Sequence, residues 1–319
     1  INFELLKILF ISPRYEGGIG GHASRVAEKL REYGYDINLM HVPHIPVKNL
    51  KNPSFAILGI LKALSNNKDY DVVHAWNIPS AVVMKFVKAK KKVLSVHGVY
   101  SEQVDAIHSG TTSSMINATE EKILKFADVL TTDSKRVQKA YKEKFGLNFV
   151  YLPAPIDVEN FKKIPKVAKI ENQVVYVGRD SYEKGIDILR NNESQIKGRV
   201  VYCTNIPWVE AMKNLNASYV LAVPSRMESL PQVIKEAFFL KVPVVATSVG
   251  DVPELVKNDV TGILVPPNEP QALVNAINLL LEERQKATKL ADAAYEFVIN
   301  NFTWEVLLPK YVEFYEKLN

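Results

Sequence analysis

The chain has 319 residues, 47% of them hydrophobic and 24% charged, with a formal net charge of +5. At about 150 residues per domain this is enough apolar material for one or two full cores, which excludes a disordered or collagen-like chain. The single cysteine, Cys203, excludes an intrachain disulfide framework and a cysteine-cluster metal site.

The longest apolar stretch, Phe55–Leu61, falls far short of the about 20 residues that a membrane-spanning helix needs. The opening residues Ile1–Leu6 are too short and too acidic for a signal peptide, so the expected compartment is the cytoplasm. The whole excess of Lys and Arg lies in residues 1–160. It suits either a solvated surface or a face turned to an anionic membrane or substrate.

Apolar runs alternate with helical patterns along the chain. Strands are expected at 7–12, 36–42, 71–75, 92–96 and 129–132. Helices are expected between them, near 22–33, 54–64, 80–88, 117–127 and 135–144. Prolines 153, 155 and 165 bracket a polar segment, 156–172, which reads as a linker. The alternation then restarts, with strands at 174–177, 200–202, 219–223, 244–246 and 263–265. Residues 284–318 read as nearly all helical, with a break at 300–303. Strands separated by helices imply βαβ units and parallel sheets. The expected fold is α/β: two doubly wound domains, 1–160 and 161–303, facing a cleft, with a terminal helix at 304–319. Ligands of such sheets bind beyond the carboxyl ends of the strands.

The first strand leads into a glycine-rich turn in which Gly18, Gly20 and Ala23 match G-x-G-x-x-A, with Gly21 and His22 beside them. A dinucleotide site also wants an acid at the end of the second strand. That strand ends in Leu39-Met40-His41-Val42, so a nicotinamide cofactor is not expected. The turn is read as lining the cleft, with a plain tight turn as the alternative.

Two constellations carry charge. Tyr176-Val177-Gly178-Arg179 runs on to Lys184-Gly185 at the end of the second domain's first strand. Arg179 and Lys184 there suit a diphosphate, and would neutralise a leaving group without a metal; a surface turn is the plainer reading. Further on stands Pro224-Ser225-Arg226-Met227-Glu228-Ser229-Leu230-Pro231-Gln232, with Glu236 about two turns into the next helix. Ser229 and Gln232 fit a capping box, and Pro231 fits the first helical turn. A helix N-terminus between two carboxylates suits a nucleotide sugar: one carboxylate for sugar hydroxyls, the other for a ribose diol. A dipole-facing acid for Glu228 and an exposed helix acid for Glu236 are the alternatives.

Glu228-x7-Glu236 within PSRxESLPQVIKEA, together with Gly178-Arg179 and Lys184-Gly185, resembles the retaining GT-B glycosyltransferases of family 4. Ser95-Val96-His97-Gly98, the stretch Val249–Leu255 and the run Thr261–Pro267 add to the resemblance.

The resemblance implies two Rossmann-like domains, a donor nucleotide in the second, an acceptor on the side of the first, and a terminal helix that crosses back. It implies Glu236 at the donor ribose, with Glu228 near the donor sugar. Arg179 and Lys184 would lie at the diphosphate, helped by Gly178 and the amides near Ser229 and Leu230, and His97 would lie beside the transferred sugar. His22, Gly18, Gly20 and Gly21 would line the acceptor side. No cofactor and no metal are expected, since the nucleotide sugar is a substrate. The interval between Lys184 and Glu228 is short for the family, so a trimmed second sheet is expected.

Expected partners are a nucleoside-diphosphate sugar and a glycan or lipid-linked acceptor. The basic run Lys85–Lys92 beside the apolar stretch 53–64 would suit a membrane face, and a solvated helix end suits it equally. Nucleic acid is not expected. The alternatives are a non-catalytic subunit of the same fold supporting a partner transferase, and a nucleotide-sugar epimerase or phosphorylase.

Overall fold

Strands covered on both faces read as nearly continuous apolar runs, as in the centre of KILFISP and in VLAV and VVAT. Each is a parallel strand in the computed structural model, which describes residues 6–13, 18–43, 51–66, 68–99 and 113–318. The chain divides into two units: Ile1–Leu152 together with Leu308–Asn319, and Pro153–Leu307.

The first unit runs β1 (Lys7–Pro13), α1 (Gly18–Tyr33), β2 (Asp36–Val42), α2 (Lys51–Leu64), β3 (Tyr70–Ala75), α3 (Ile78–Met84), β4 (Ala89–Ser95), α4 (Ser113–Leu124), β5 (Val129–Thr132), α5 (Lys135–Phe145) and β6 (Phe149–Tyr151). Its strands order β2-β1-β3-β4-β5-β6, every pair parallel. The chain reverses its direction of winding between β1 and β3, so the crevice at their carboxyl ends is the switch point where open sheets take ligands.

The second unit runs β7 (Gln173–Val177), α6 (Ile186–Asn191), β8 (Arg199–Cys203), α7 (Trp208–Ala217), β9 (Val220–Val223), α8 (Gln232–Phe239), β10 (Val244–Thr247), α9 (Val252–Leu255), β11 (Ile263–Val265), α10 (Pro270–Glu282) and α11 (Arg284–Asn301). Its order is β8-β7-β9-β10-β11, again all parallel. The switch point lies between β7 and β9. The last helix, α12 (Trp304–Glu316), has its residues from Leu308 onward in the first unit.

Apolar burial sets both sheets. Leu9, Ile11, Val73 and Leu94 pack under α3 residues Ala81 and Val83 in the first core. Val174, Val220 and Val245 pack under α10 residues Leu273, Ile277 and Leu280 in the second. One polar chain crosses the first core. His74 on β3 is fully buried, its Nδ1 2.6 Å from the Tyr315 hydroxyl and its Nε2 2.7 Å from Ser95 Oγ. Ser95 Oγ lies 2.6 Å from Thr131 Oγ1. Burial, and then the neighbouring His97, hold the His74 ring well below the usual histidine range. The imidazole is therefore neutral and its two nitrogens take one donor and one acceptor role.

Several expectations are corrected. The segment expected as a linker is structured. Ile156 bridges to Thr303, Val158–Lys163 forms a 3-10 helix, and Phe161 is buried against Trp208 and Phe239 at ring separations of 5.2 and 4.5 Å. Prolines stop helices there without preventing packing. The strand Phe149–Tyr151 was not expected, because three residues show no period. The glycines are not a loop: α1 starts at Gly18, so Gly18, Gly20 and Gly21 lie inside its first turns. Residues 14–17, which hold the rest of that turn, lie outside the described residues.

Candidate functional site

The second switch point is built by two loops that need glycine where they meet. After β7 the chain turns through a 3-10 helix, Tyr182–Lys184, into Gly185 at φ +64°. A Cβ on Gly185 would collide with the carbonyl oxygen of Pro224, in the loop after β9. The same β9 loop meets Gly250, at φ +57°, where a Cβ would collide with the carbonyl oxygen of Glu228. Left-handed backbone and the lack of a side chain together make both positions glycine. Backbone bonds seal the approach: the Arg226 and Met227 amides donate to Glu183 O at 2.9 and 3.1 Å, and Asp251 N donates to Ser229 O at 3.1 Å.

This packing delivers Lys184 to Glu228. The ammonium donates to both carboxylate oxygens, at 2.8 and 2.9 Å. Ser225 Oγ donates to the first of them at 2.8 Å. The Glu228 side chain is 6% exposed and that of Lys184 24%, so the pair sits at the edge of solvent, open on the lysine side. Arg179, on the same loop as Lys184, is 71% exposed and reaches Glu183 at 3.0 Å. Gly178 sits over the Tyr176 ring, whose hydroxyl donates to Arg179 O at 2.6 Å. Burial, and then the nearby carboxylates, push that phenol upward, so it remains a donor.

The helix after the β9 loop differs from its expected start. Its cap is Pro231, without a side-chain cap bond, and Gln232 is the first helical residue. The Ser229–Gln232 capping box is absent: Gln232 Oε1 has no hydrogen-bond partner among the described residues, and its Nε2 donates to Pro155 O, at 3.1 Å. Leu230 is buried, and the fully buried Lys235 donates to Ala154 O at 2.6 Å. Glu236 follows as the fifth residue of α8. Its Oε1 accepts from the indole Nε1 of Trp208 at 2.8 Å, so it is a held carboxylate and not an exposed helix acid.

Three contributors were not anticipated from sequence. Arg226 binds both oxygens of Asp187 at 2.7 Å, donates to Asn268 Oδ1 at 2.9 Å and stacks 4.1 Å from the Tyr182 ring centre. The bond from Arg226 holds the Asp187 carboxyl below the usual range. This guanidinium joins the loops after β7, β9 and β11. Trp208 and Tyr176 are the other two. An arginine two residues before a motif glutamate was the available signal for the first; the others depend on which strands are neighbours.

The first unit gathers aromatic and imidazole rings at the ends of β1, β3 and β4. Trp76, just past β3, stacks on His74 at 4.4 Å and lies parallel to His97 at 6.4 Å. His22, on α1, meets Trp76 edge-on at 5.2 Å and His97 at 6.1 Å. His97 Nδ1 lies 3.1 Å from Asp133 Oδ1. The Tyr311 hydroxyl of α12 lies 3.4 Å from His22 Nε2. His22 and His97 are thus brought together; Gly21 is the residue before His22 on α1.

Comparison with known proteins bears on this arrangement. A family model described as Glycosyltransferase Family 4 matches residues 16–160, and one described as Glycosyl transferases group 1 matches residues 159–297. An uncharacterized glycosyltransferase of Methanocaldococcus jannaschii is 23% identical, with 95% of each chain covered. Sucrose-phosphate synthase from Thermosynechococcus elongatus has a similar structure, at TM-score 0.81 and 20% identity, covering 98% of this chain and 99% of that one. The Anabaena protein HepE, solved with UDP-glucose, aligns at TM-score 0.77 and 18% identity, covering 98% and 100%. With two parallel-sheet Rossmann-like units of the GT-B kind and family matches running from residue 16 to residue 297, the chain belongs to the group 1 glycosyltransferases.

Proposed function

We propose that this protein transfers a sugar, with retention of configuration and without a metal ion, from a nucleoside-diphosphate donor to a hydroxyl acceptor. The observation that carries the reading is the Lys184 ammonium held on Glu228 at the β7–β9 switch point, with Arg179 on the same loop. The neighbour solved with UDP-glucose supports the donor class.

In this reading the donor diphosphate lies over the β7 loop and the uncapped start of α8. Lys184 and Arg179 offset the charge that grows on the phosphate as the C1–O bond breaks. Glu228 accepts hydrogen bonds from hydroxyls of the donor sugar, and Glu236 from the two hydroxyls of the ribose. The acceptor oxygen bonds to C1 on the face the phosphate leaves. Its proton passes to the departing phosphate oxygen, so both bonds and charge balance without a separate base. His97, and His22 beside it, are assigned to the sugar and acceptor side.

Calorimetric titration of UDP, GDP and ADP into the metal-free protein tests the donor site. One of them should bind, equally well with a chelator present. Glu236→Ala should weaken that binding about tenfold, the scale of a hydrogen bond to a charged group. Failure of all three to bind, or an unchanged Glu236→Ala, overturns the assignment.

The protein is further proposed to work in the cytoplasm, docked on an anionic membrane face where a lipid-linked acceptor resides. Among the described residues no helix is long and apolar enough to cross a membrane. On α2, Phe55, Gly59 and Ala63 face inward, and Gly59 sits against Val83 of α3. This leaves Ile57, Leu61 and Leu64 each 60% exposed, and Lys85, Lys88, Lys90 and Lys91 follow in the segment after α3. Exposed apolar side chains in a lysine-rich unit suit an anionic lipid surface. Co-sedimentation should pull the protein down with anionic vesicles, and Leu61→Glu should release it. Equal recovery in the supernatant with neutral and anionic vesicles removes the proposal.

A further inference from the structure

The assignment of Glu236 to the donor ribose leaves open what aims its carboxylate. On that reading, we propose that Trp208 is the positioning residue for Glu236, and that its indole N–H sets recognition of the ribose diol.

The indole is fixed before any ligand arrives. Trp208 is the first residue of α7, after Pro207, at the end of the loop that leaves β8. Its ring meets Phe161 edge to face at 5.2 Å and 80°, and Phe161 in turn packs at 4.5 Å on Phe239, three residues beyond Glu236 on α8. The aromatic trio ties the start of α7 to the end of α8 and fixes the direction of the N–H. Among the described residues that N–H has one partner, Glu236 Oε1, at 2.8 Å. A glutamate on a helix has three rotatable bonds, and two oxygens that exchange places freely in water. Anchoring Oε1 removes most of that freedom and fixes the orientation of the carboxylate. A ribose diol presents two donors at fixed spacing, so it gains most from a carboxylate that is already aimed. Packing alone would be served by phenylalanine at this position; the nitrogen matters only through Glu236.

The test is the variant Trp208→Phe, which keeps a ring against Phe161 and removes only the N–H. The probes are whichever of UDP, GDP and ADP binds the wild-type chain best, and its 2′,3′-dideoxy counterpart. Trp208→Phe should weaken the ribonucleotide about fivefold, within the range of a charge-assisted hydrogen bond, and leave the dideoxy nucleotide within about twofold of wild type. In a Glu236→Ala background Trp208→Phe should add nothing further. Equal weakening of both nucleotides would make Trp208 a packing residue and overturn the proposal. So would a ribonucleotide affinity unchanged by Trp208→Phe while Glu236→Ala lowers it; that result leaves the ribose assignment of Glu236 standing. If Glu236→Ala itself changes nothing, or no nucleotide binds the wild-type chain, the ribose assignment falls and the role of Trp208 falls with it.

Discussion

Lys184→Ala should lower turnover about a hundredfold or more, the loss found when a group that stabilises developing charge is removed from an active site. The lysine is held to both oxygens of Glu228, so its position is set before the donor binds. Glu228 is nearly buried, and removing its cation leaves a carboxylate whose remaining hydrogen bond among the described residues comes from the Ser225 hydroxyl. Some loss of stability is therefore expected as well, and it must be separated from the chemical effect. Lys184→Arg keeps the charge but replaces a compact ammonium by a planar fork, which does not reproduce the geometry. It should restore most of the melting temperature and little of the turnover. Steady-state rates with saturating donor, read beside thermal melting of both variants, make the distinction. Wild-type turnover in folded Lys184→Ala would remove this residue from the leaving-group site.

The second large effect is expected at Gly250. Substitution by alanine puts a Cβ into the Glu228 carbonyl while the backbone sits at φ +57°. Left-handed backbone in a non-glycine residue costs about 1–3 kcal/mol, and the collision adds to that. A total near 4 kcal/mol corresponds to a fall of about 8–16 °C in melting temperature for a unit of this size. Gly146→Ala is the control. Gly146 has a similar φ of +67°, but among the described residues nothing beyond its chain neighbours lies within 4 Å of where its Cβ would stand. It should cost only about 1 kcal/mol, from the backbone alone. Because Gly250 touches Glu228 itself, Gly250→Ala should also lose activity at temperatures where it remains folded. Equal melting temperatures for the two variants would mean that the β9 loop gives way without strain.

The alternation of apolar runs was readable because strands covered on both faces have few polar positions to break the run. VLAV and VVAT leave nothing else to be. Elements defined by contact and not by period were not readable. Phe149–Tyr151 is a strand because β5 lies beside it, and the segment after Pro155 is ordered because Phe161 finds Trp208. The start of α8 shows the limit of a local pattern: the spacing of Ser229 and Gln232 fits a capping box, but the Gln232 amide is held by the distant Pro155 carbonyl. At the site, Lys184, Glu228 and Glu236 stand in recognisable motifs. That Lys184 bonds Glu228 depends on β7 and β9 being neighbours although β8 lies between them in sequence. Trp208 is silent for the same reason, since its meaning comes from the helix it faces.

The first unit is completed by residues from the far end of the chain. Tyr315 supplies the hydroxyl that His74 needs in the core, and Tyr311 lies against His22. During synthesis the ribosome releases the first six strands long before these tyrosines exist. Until then a neutral imidazole and a row of aromatic rings await their last neighbours, while the whole second unit is being made. The nascent first unit is thus held in an unfinished state that exposes apolar surface, the state that chaperones recognise. A gene fragment ending near residue 152 would inherit that state permanently. Fusing residues 308–319 to it through a short linker would supply the missing piece.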